Sequence, residues 1–225
     1  MLQSLLNLFF PKVCYACHQP LMVREDSICV DCRHALPVTN FHFDKNPALK
    51  KVLFGRANIE QGTALFRFEK KGPVQHLIHE LKYKGHQGIG EVLGDWLGGE
   101  LATLPEWQAI DMIIPVPIHK KKLRERGFNQ VTKFGKRIAF SLNAEYREDL
   151  LIKVIHTKTQ TKKNRSERFN NNPELYKLVH PELLENKHVL IVDDLITTGA
   201  TLEGCICVLN QAKNLKISIA TMAIA

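Results

Sequence analysis

Val189-Leu190-Ile191-Val192-Asp193-Asp194-Leu195-Ile196-Thr197-Thr198-Gly199-Ala200-Thr201 decides how this chain is read. Its four leading aliphatic residues make a strand buried on both faces. Two carboxylates follow at the carboxyl end of that strand. A loop of small and hydroxyl-bearing residues comes next and opens a helix. Such a loop and helix start offer backbone N–H groups and hydroxyls to a phosphate. The acid pair can accept hydrogen bonds from two adjacent ribose hydroxyls. A buried strand ending in a polar turn is the plain alternative. Against it, neighbouring carboxylates at a strand end are costly unless something binds them. The stretch therefore points to a sugar-phosphate site made by Asp193, Asp194, Thr197, Thr198, Gly199, Ala200 and Thr201.

Working outward, residues 216–224 read as a second strand, with a helix over 200–212 between the two. Ile110–Ile114 reads as a strand closed by Pro115-Val116-Pro117, and a basic loop then leads into a helix near 129–142. Residues 62–68 alternate like a strand, and Glu148–Ile152 is a further candidate. Val74, Leu77, Ile78 and Leu81 fall at helical spacing, which predicts a helix over 73–82. Gly85 is a plausible cap for it. A second helix is expected over 91–101. Strands alternating with helices predict an α/β fold, a mostly parallel sheet flanked by helices. Ligands in such sheets bind at the carboxyl ends of the strands. No GxxxxGK[ST] motif occurs, and the glycines at 85, 88 and 90 do not spell a dinucleotide fingerprint.

The 225 residues suit one α/β domain plus a small appendage, and 44% of them are hydrophobic. Net charge is +8, which favours anionic partners. The charge is clustered. Residues 118–137 carry Lys120, Lys121, Lys122, Arg124, Arg126, Lys133, Lys136 and Arg137 against Glu125 alone. Residues 153–168 carry Lys153, Lys158, Lys162, Lys163, Arg165 and Arg168 against Glu167 alone. A solvated face would normally mix signs. The polar, aperiodic 153–174 segment is long for an internal loop, which suggests a functional lid. No stretch is long and apolar enough to insert into a membrane. Met1–Phe10 is apolar but short, and it lacks a basic n-region and a cleavage site. It suits a short amphipathic helix, and a cytoplasmic location follows as the default.

Cys14-Tyr15-Ala16-Cys17 and Cys29-Val30-Asp31-Cys32 form two CxxC knuckles separated by eleven residues. That spacing suits one tetrahedral zinc held by Cys14, Cys17, Cys29 and Cys32. Four thiolates close the coordination sphere, so the metal would be structural. Its binding would supply folding free energy that so short a segment lacks. Disulfides or a redox pair fit a cytosolic chain less well. The expected division is a zinc-ribbon module at 1–40 and the α/β domain at 41–225. Cys205 and Cys207 do not share a helix face and read as separate small core residues.

The 189–201 segment resembles the 5-phosphoribosyl-1-pyrophosphate (PRPP) loop of type I phosphoribosyltransferases. Four further motifs widen the match: the paired CxxC; Leu81-Lys82-Tyr83-Lys84-Gly85; Pro115-Val116-Pro117 through Arg124-Glu125-Arg126-Gly127-Phe128-Asn129-Gln130; and Thr157-Lys158-Thr159-Gln160 with Arg165 and Arg168. Together with Val192–Thr201 they make the chain similar to the ComF family, from Cys14 to the last strand. The pattern departs at Lys163, where many relatives carry leucine.

That resemblance implies a zinc-binding N-terminal module joined to a type I phosphoribosyltransferase-like domain, with a role in DNA uptake during natural transformation. It implies that the 194–201 loop grips a 5′-phosphate and that Asp193 and Asp194 meet the ribose hydroxyls. The loop after Pro117 would meet pyrophosphate. Arg124 and Arg126 offer fixed forks of donors there, and Gly127 allows close backbone approach. Magnesium would bridge pyrophosphate and ribose hydroxyls. Asp193, Asp194 and Arg126 are the expected catalytic residues, acting on an oxocarbenium-like transition state chiefly by stabilising leaving-group charge. Lys82 and Lys84 are further phosphate candidates, although cations at a helix end also suit the dipole. Two functions remain open. One is a phosphoribosyltransferase with an unknown acceptor. The other is a non-catalytic protein that binds single-stranded DNA without sequence preference, through Lys120, Lys121, Lys122, Thr157, Gln160, Arg165 and Arg168. Other DNA-uptake proteins are candidate partners under either.

Overall fold

The computed structural model describes residues 11–154 and 175–225. The Met1–Phe10 stretch and the 155–174 segment, with Thr157, Gln160, Arg165 and Arg168, lie outside the described residues. In chain order the elements are α1 (Val30–Ala35), α2 (Ala48–Val52), β1 (Gly62–Arg67), α3 (Pro73–Tyr83), α4 (Gly88–Leu101), α5 (Pro105–Gln108) and β2 (Met112–Pro115). There follow α6 (Lys120–Arg126), α7 (Thr132–Leu142), β3 (Glu145–Tyr146), β4 (Leu151–Lys153) and β5 (Tyr176–Leu178). After a short 3-10 turn at Pro181–Leu184 come β6 (His188–Ile196), α8 (Ala200–Leu209) and β7 (Lys216–Ile224).

The aliphatic run of β6 sits where its composition requires, at the centre of a five-stranded sheet ordered β1-β7-β6-β2-β3. Every pairing in that sheet is parallel. Parallel sheets are covered on both faces, so their strands lose the polar alternation of a one-sided sheet. Val189, Leu190, Ile191 and Val192 are all fully buried. Successive side chains still divide between the faces. Leu190 and Val192 join an apolar cluster with Leu77, Leu81, Leu93 and Phe134 of α3, α4 and α7. Val189 and Ile191 join a second cluster with Leu49 of α2, Cys205 and Ile206 of α8, and Tyr176 of β5.

The cysteine knuckles do not stand apart from this core. Cys14, Ala16, Ile28 and Cys29 belong to the same cluster as Leu77, Ile78 and Leu81 of α3. The chain leaving them stitches onto the edge of β1, where Thr39 N–H donates to Leu65 at 3.0 Å and Arg67 N–H donates to Pro37 at 2.8 Å.

Four local readings need correction. The basic segment after Pro117 is helical, not a loop. His119 Nδ1 accepts the Lys121 N–H at 3.1 Å to start α6, and Gly127 at φ 83° ends it. Leu123 is the one apolar residue of α6, so no amphipathic period announces it. Second, the strand expected over 148–152 is shorter and starts later, at Leu151, and it lies outside the main sheet. Glu145 and Tyr146 extend the main sheet, whereas Leu151–Lys153 pairs antiparallel with Tyr176–Leu178 in a separate ribbon. Third, β6 runs on through Leu195 and Ile196, both paired with β7, so the turn begins at Thr197. Fourth, Cys205 is buried but Cys207 is exposed.

Candidate functional site

After β2 the chain steps to β3 on one side, and after β6 it steps to β7 on the other. The carboxyl ends of β2 and β6 therefore flank the point where the winding direction switches. At such a point the loops diverge and leave a crevice. A cavity of about 180 Å³ lies there, with Val116 and Pro117 from the β2 side and Asp193, Asp194 and Thr201 from the β6–α8 side.

The two carboxylates occupy successive strand positions and so face opposite sides of the sheet. Asp193 looks toward α8 and the β4–β5 ribbon. Its Oδ1 accepts the Asp194 N–H at 2.8 Å. Burial, and then the charge of Asp194, hold its pKa well above the ordinary carboxylate range. Asp194 looks toward α3, where the Lys82 ammonium pairs with its Oδ2. Lys82 reaches it from the last turn of α3, so one of the two acids is neutralised by an internal cation while room remains beside both.

The turn after β6 is shaped by a contact that no local motif announces. Gly199 has φ 77°, and a Cβ there would lie 2.9 Å from Leu53 and 3.0 Å from Val52. The residue is thus fixed as glycine by conformation and by space. Arg56 closes the turn from outside. Its guanidinium donates to the Thr198 carbonyl at 2.6 Å and to the Glu203 carboxylate at 3.0 Å, joining the segment after α2 to α8. Thr197, Thr198, Ala200 and Thr201 stay exposed around it. Their hydroxyls, with the first N–H groups of α8, present donors to a phosphate oxygen.

The other expected residues are placed unevenly. Lys82 and Lys122 face the site, whereas Lys84 pairs with buried Glu80 at 3.0 Å. Arg126 donates to Gln130 and lies 5.7 Å from the centroid of Tyr83. It borders the cavity through Gln130, which lines it. Arg124 is exposed on α6 with Lys120, Lys121 and Lys122. Gly127 has nothing within 4 Å of where a Cβ would stand, so its backbone is open to approach. Lys153 and Tyr176 also line the cavity; sequence reading counted Lys153 in a basic cluster without giving it a place in the site, and passed over Tyr176. They come from the two strands that bracket the 155–174 segment, where no periodicity marks a functional side chain.

The knuckles bring their four sulfurs within 4.8 Å of one another. Cys17 Sγ and Cys29 Sγ are 3.8 Å apart. A tetrahedron with Zn–S bonds of about 2.3 Å has edges of about 3.8 Å. Cys14 Sγ accepts the Cys29 N–H at 3.3 Å, and Cys29 Sγ accepts the Cys32 N–H at 3.4 Å. Burial pushes the Cys14 thiol up, but N–H donors outweigh it and bring the group down to about 7. The donor set therefore fits a metal such as zinc.

The phosphoribosyl transferase domain family matches residues 131–224. The DNA utilization protein YhgH of Escherichia coli K12 is 25% identical over 206 residues, covering 85% of this chain and 87% of that protein. The competence protein ComFC of Bacillus subtilis is 24% identical over 213 residues, covering 94% of this chain and 83% of that protein. The chain fits the ComF family. ComFC of Streptococcus pneumoniae is 29% identical over 149 residues, covering 66% of this ComF-type chain and 61% of that protein. Among solved structures, glutamine phosphoribosylpyrophosphate amidotransferase from B. subtilis is similar with a TM-score of 0.44 and 17% identity. That likeness covers 64% of this chain, which spans 30% of the other.

No helix among the described residues is long and apolar enough to cross a membrane.

Proposed function

We propose that this ComF-type chain binds PRPP with magnesium in the crevice at the ends of β2 and β6, and acts in the cytoplasm in the handling of incoming DNA. The observation that carries the reading is the placement of Asp193 and Asp194 on the cavity wall, directly before the Thr197–Gly199 turn and the start of α8. The 5′-phosphate goes to that turn and helix start, and the ribose hydroxyls to the carboxylates. A diol arriving at Asp194 competes with the Lys82 ammonium, which is then free to meet a ligand oxygen. Asp193 and Asp194 are the only acids among the described lining residues, so they are the protein groups nearest to a magnesium carried by pyrophosphate. The reaction that fits is phosphoribosyl transfer. The bond from the anomeric carbon to pyrophosphate breaks, a bond to the acceptor forms, and the acceptor gives up its proton. Arg126, in its role from the family resemblance, acts by stabilising charge on the departing pyrophosphate. Zinc is the metal proposed for Cys14, Cys17, Cys29 and Cys32.

Titration calorimetry of the full chain with PRPP and magnesium is the test. Wild type gives heat, and Asp194→Ala binds at least about tenfold more weakly, the loss expected for a charge-assisted contact. Absence of heat for wild type overturns the site.

A second reading rests on α6. Its lysines and Arg124 are exposed, Arg126 is half-buried, and Lys121 and Glu125, at 4.0 Å, are its one internal ion pair among the described residues. Two relatives carry names that refer to DNA utilization and competence. Single-stranded DNA binding without sequence preference follows, compatible with PRPP binding. Affinity then falls steeply as salt rises, because neutralised phosphates release counterions. A gel shift that is absent at low salt, or indifferent to salt, rejects it.

A further inference from the structure

A third basic stretch lies outside the 118–137 and 153–168 windows. Residues 45–56 carry Lys45, Lys50, Lys51 and Arg56 and no acid. Lys45 pairs with Glu106 at 3.7 Å and Arg56 with Glu203 at 3.0 Å, whereas Lys50 and Lys51 are exposed and form no ion pair among the described residues. Phe54 follows them at the end of α2 and is 86% exposed. Tyr83 and Phe140 are exposed too, but each ring has an arginine against it, Arg126 at 5.7 Å and Arg137 at 5.6 Å. Among the described residues, no ring or cation stands over Phe54. The backbone that presents it is fixed. Leu53 is fully buried, and its carbonyl accepts N–H groups from Arg56 at 2.9 Å and Ala57 at 3.0 Å. Gly55, at φ 71°, reverses the chain. Leu53 packs on Gly199 and Arg56 grips the Thr198 carbonyl, so the segment that carries Phe54 is the outer wall of the phosphate turn. From the β2 side, α6 approaches the same crevice through Lys122. Leaving so large an apolar ring in water is unfavourable unless something covers it. Unpaired lysines beside it suit a polyanion, and single-stranded nucleic acid is the polyanion that also carries flat rings.

We infer that Phe54 is a stacking platform for an unpaired base of single-stranded DNA, with Lys50 and Lys51 on the backbone phosphates beside it. The inference rests on the single-strand reading above and adds to it a contact outside α6, at the other wall of the crevice. Every base has a π-face, so a ring of this kind holds a strand without choosing its sequence. The platform also divides the binding energy in two. The lysines act through phosphates, and their share falls as salt rises. The stacked ring releases no counterion, and its share does not.

The test separates the two shares. Fluorescence anisotropy follows a labelled single strand of about 20 nucleotides, longer than one such site, as the full chain is added at several salt concentrations. Phe54→Ala weakens binding about tenfold at every salt concentration, the loss of one stacked base, and leaves the salt slope unchanged. Phe54→Trp keeps the wild-type affinity. Lys50→Ala and Lys51→Ala each reduce the slope of log K against log salt by about 0.7, one phosphate contact on a single strand. An abasic strand of the same length binds wild type and Phe54→Ala equally, because the ring then has nothing to stack on. The side chain of Phe54 is exposed, so Phe54→Ala melts like wild type and its weaker binding is not a loss of fold. Binding of the ordinary strand by Phe54→Ala as tight as wild type, or an equal loss on the abasic strand, overturns the platform while DNA binding stands. Slopes unchanged in both lysine variants overturn it as well. Failure of wild type to bind any single strand at low salt overturns the platform and the single-strand reading together.

Discussion

At the scale of single residues, the site is built against the stability of the fold. Asp193 is a carboxylic acid in an apolar wall, pushed up by burial and by the neighbouring Asp194 charge. A raised folded-state pKa means that the native chain holds a proton the unfolded chain has given up. Stability is therefore lost as pH rises from the unfolded value of about 3.9 toward the higher folded value. Asp193→Asn removes the titration and keeps an oxygen for the Asp194 N–H. Its melting point should match wild type near pH 4 and exceed it at pH 8 by roughly 2–4 °C, the shift that about 1 kcal/mol produces in a chain of this size. PRPP heat should vanish in the same variant. A lower melting point at pH 8 would show that the acid is a net stabiliser. The twin aspartates and the Thr197–Thr201 turn were readable because their chemistry is contiguous in sequence. Arg56 was not: it grips the Thr198 carbonyl from 142 positions away, and nothing around Gly55 or Ala57 marks it. The places of Lys153 and Tyr176 in the site were hidden for the same reason, since a tertiary contact brings each to the cavity.

At the scale of elements, legibility followed burial. β1, β6, β7, α3 and α8 were expected close to where they lie, because strands covered on both faces and helices with one apolar stripe write their environment into the sequence. α6 is charged nearly throughout and wrote nothing. The packing of α4 on α7 was also unread, although its signal is present. Gly90, Gly94 and Gly98 recur at four-residue spacing on one face of α4, and a Cβ on Gly94 would stand 2.6 Å from the Phe134 carbonyl oxygen and 2.7 Å from the Arg137 Cβ. The small residues let the two backbones approach within a distance that no side chain permits. Gly99, one position on, has nothing within 4 Å. The two neighbouring positions should thus respond with opposite signs. Gly94→Ala must push α7 away and should cost about 1–3 kcal/mol, as overpacking does. Gly99→Ala lowers only the unfolded-chain entropy and should gain about 0.4–1 kcal/mol. Urea denaturation of the two variants measures both, and losses of equal size would show that helix geometry, not contact with α7, sets the cost.

At the scale of the whole molecule, the knuckles and the crevice are tied through one helix. Tyr15, inside the first knuckle, stacks on His86 at 4.2 Å just beyond α3. His76, in the middle of α3, is 3.2 Å through Nδ1 from the Ala16 carbonyl. Between these contacts Leu77, Ile78 and Leu81 bury against Cys14, Ala16 and Cys29. The next residue, Lys82, pairs with Asp194. Metal loss should accordingly be felt in two places. The knuckle segment has little apolar surface of its own, so its order depends on the ion. Without it, one wall of the cluster around α3 loosens, and the position of Lys82 loosens with it. Stripping the metal with a zinc chelator should lower the melting midpoint by roughly 10 °C or more, given the size of structural zinc binding energies. Below that midpoint, affinity for ribose 5-phosphate should fall as well. That ligand needs no magnesium, so the chelator does not act on it directly. Metal content measured on the same samples sets the scale. A stripped protein that melts and binds ribose 5-phosphate like the loaded one would mean that α3 is held by its apolar contacts alone, and that the cysteine cluster and the crevice are independent.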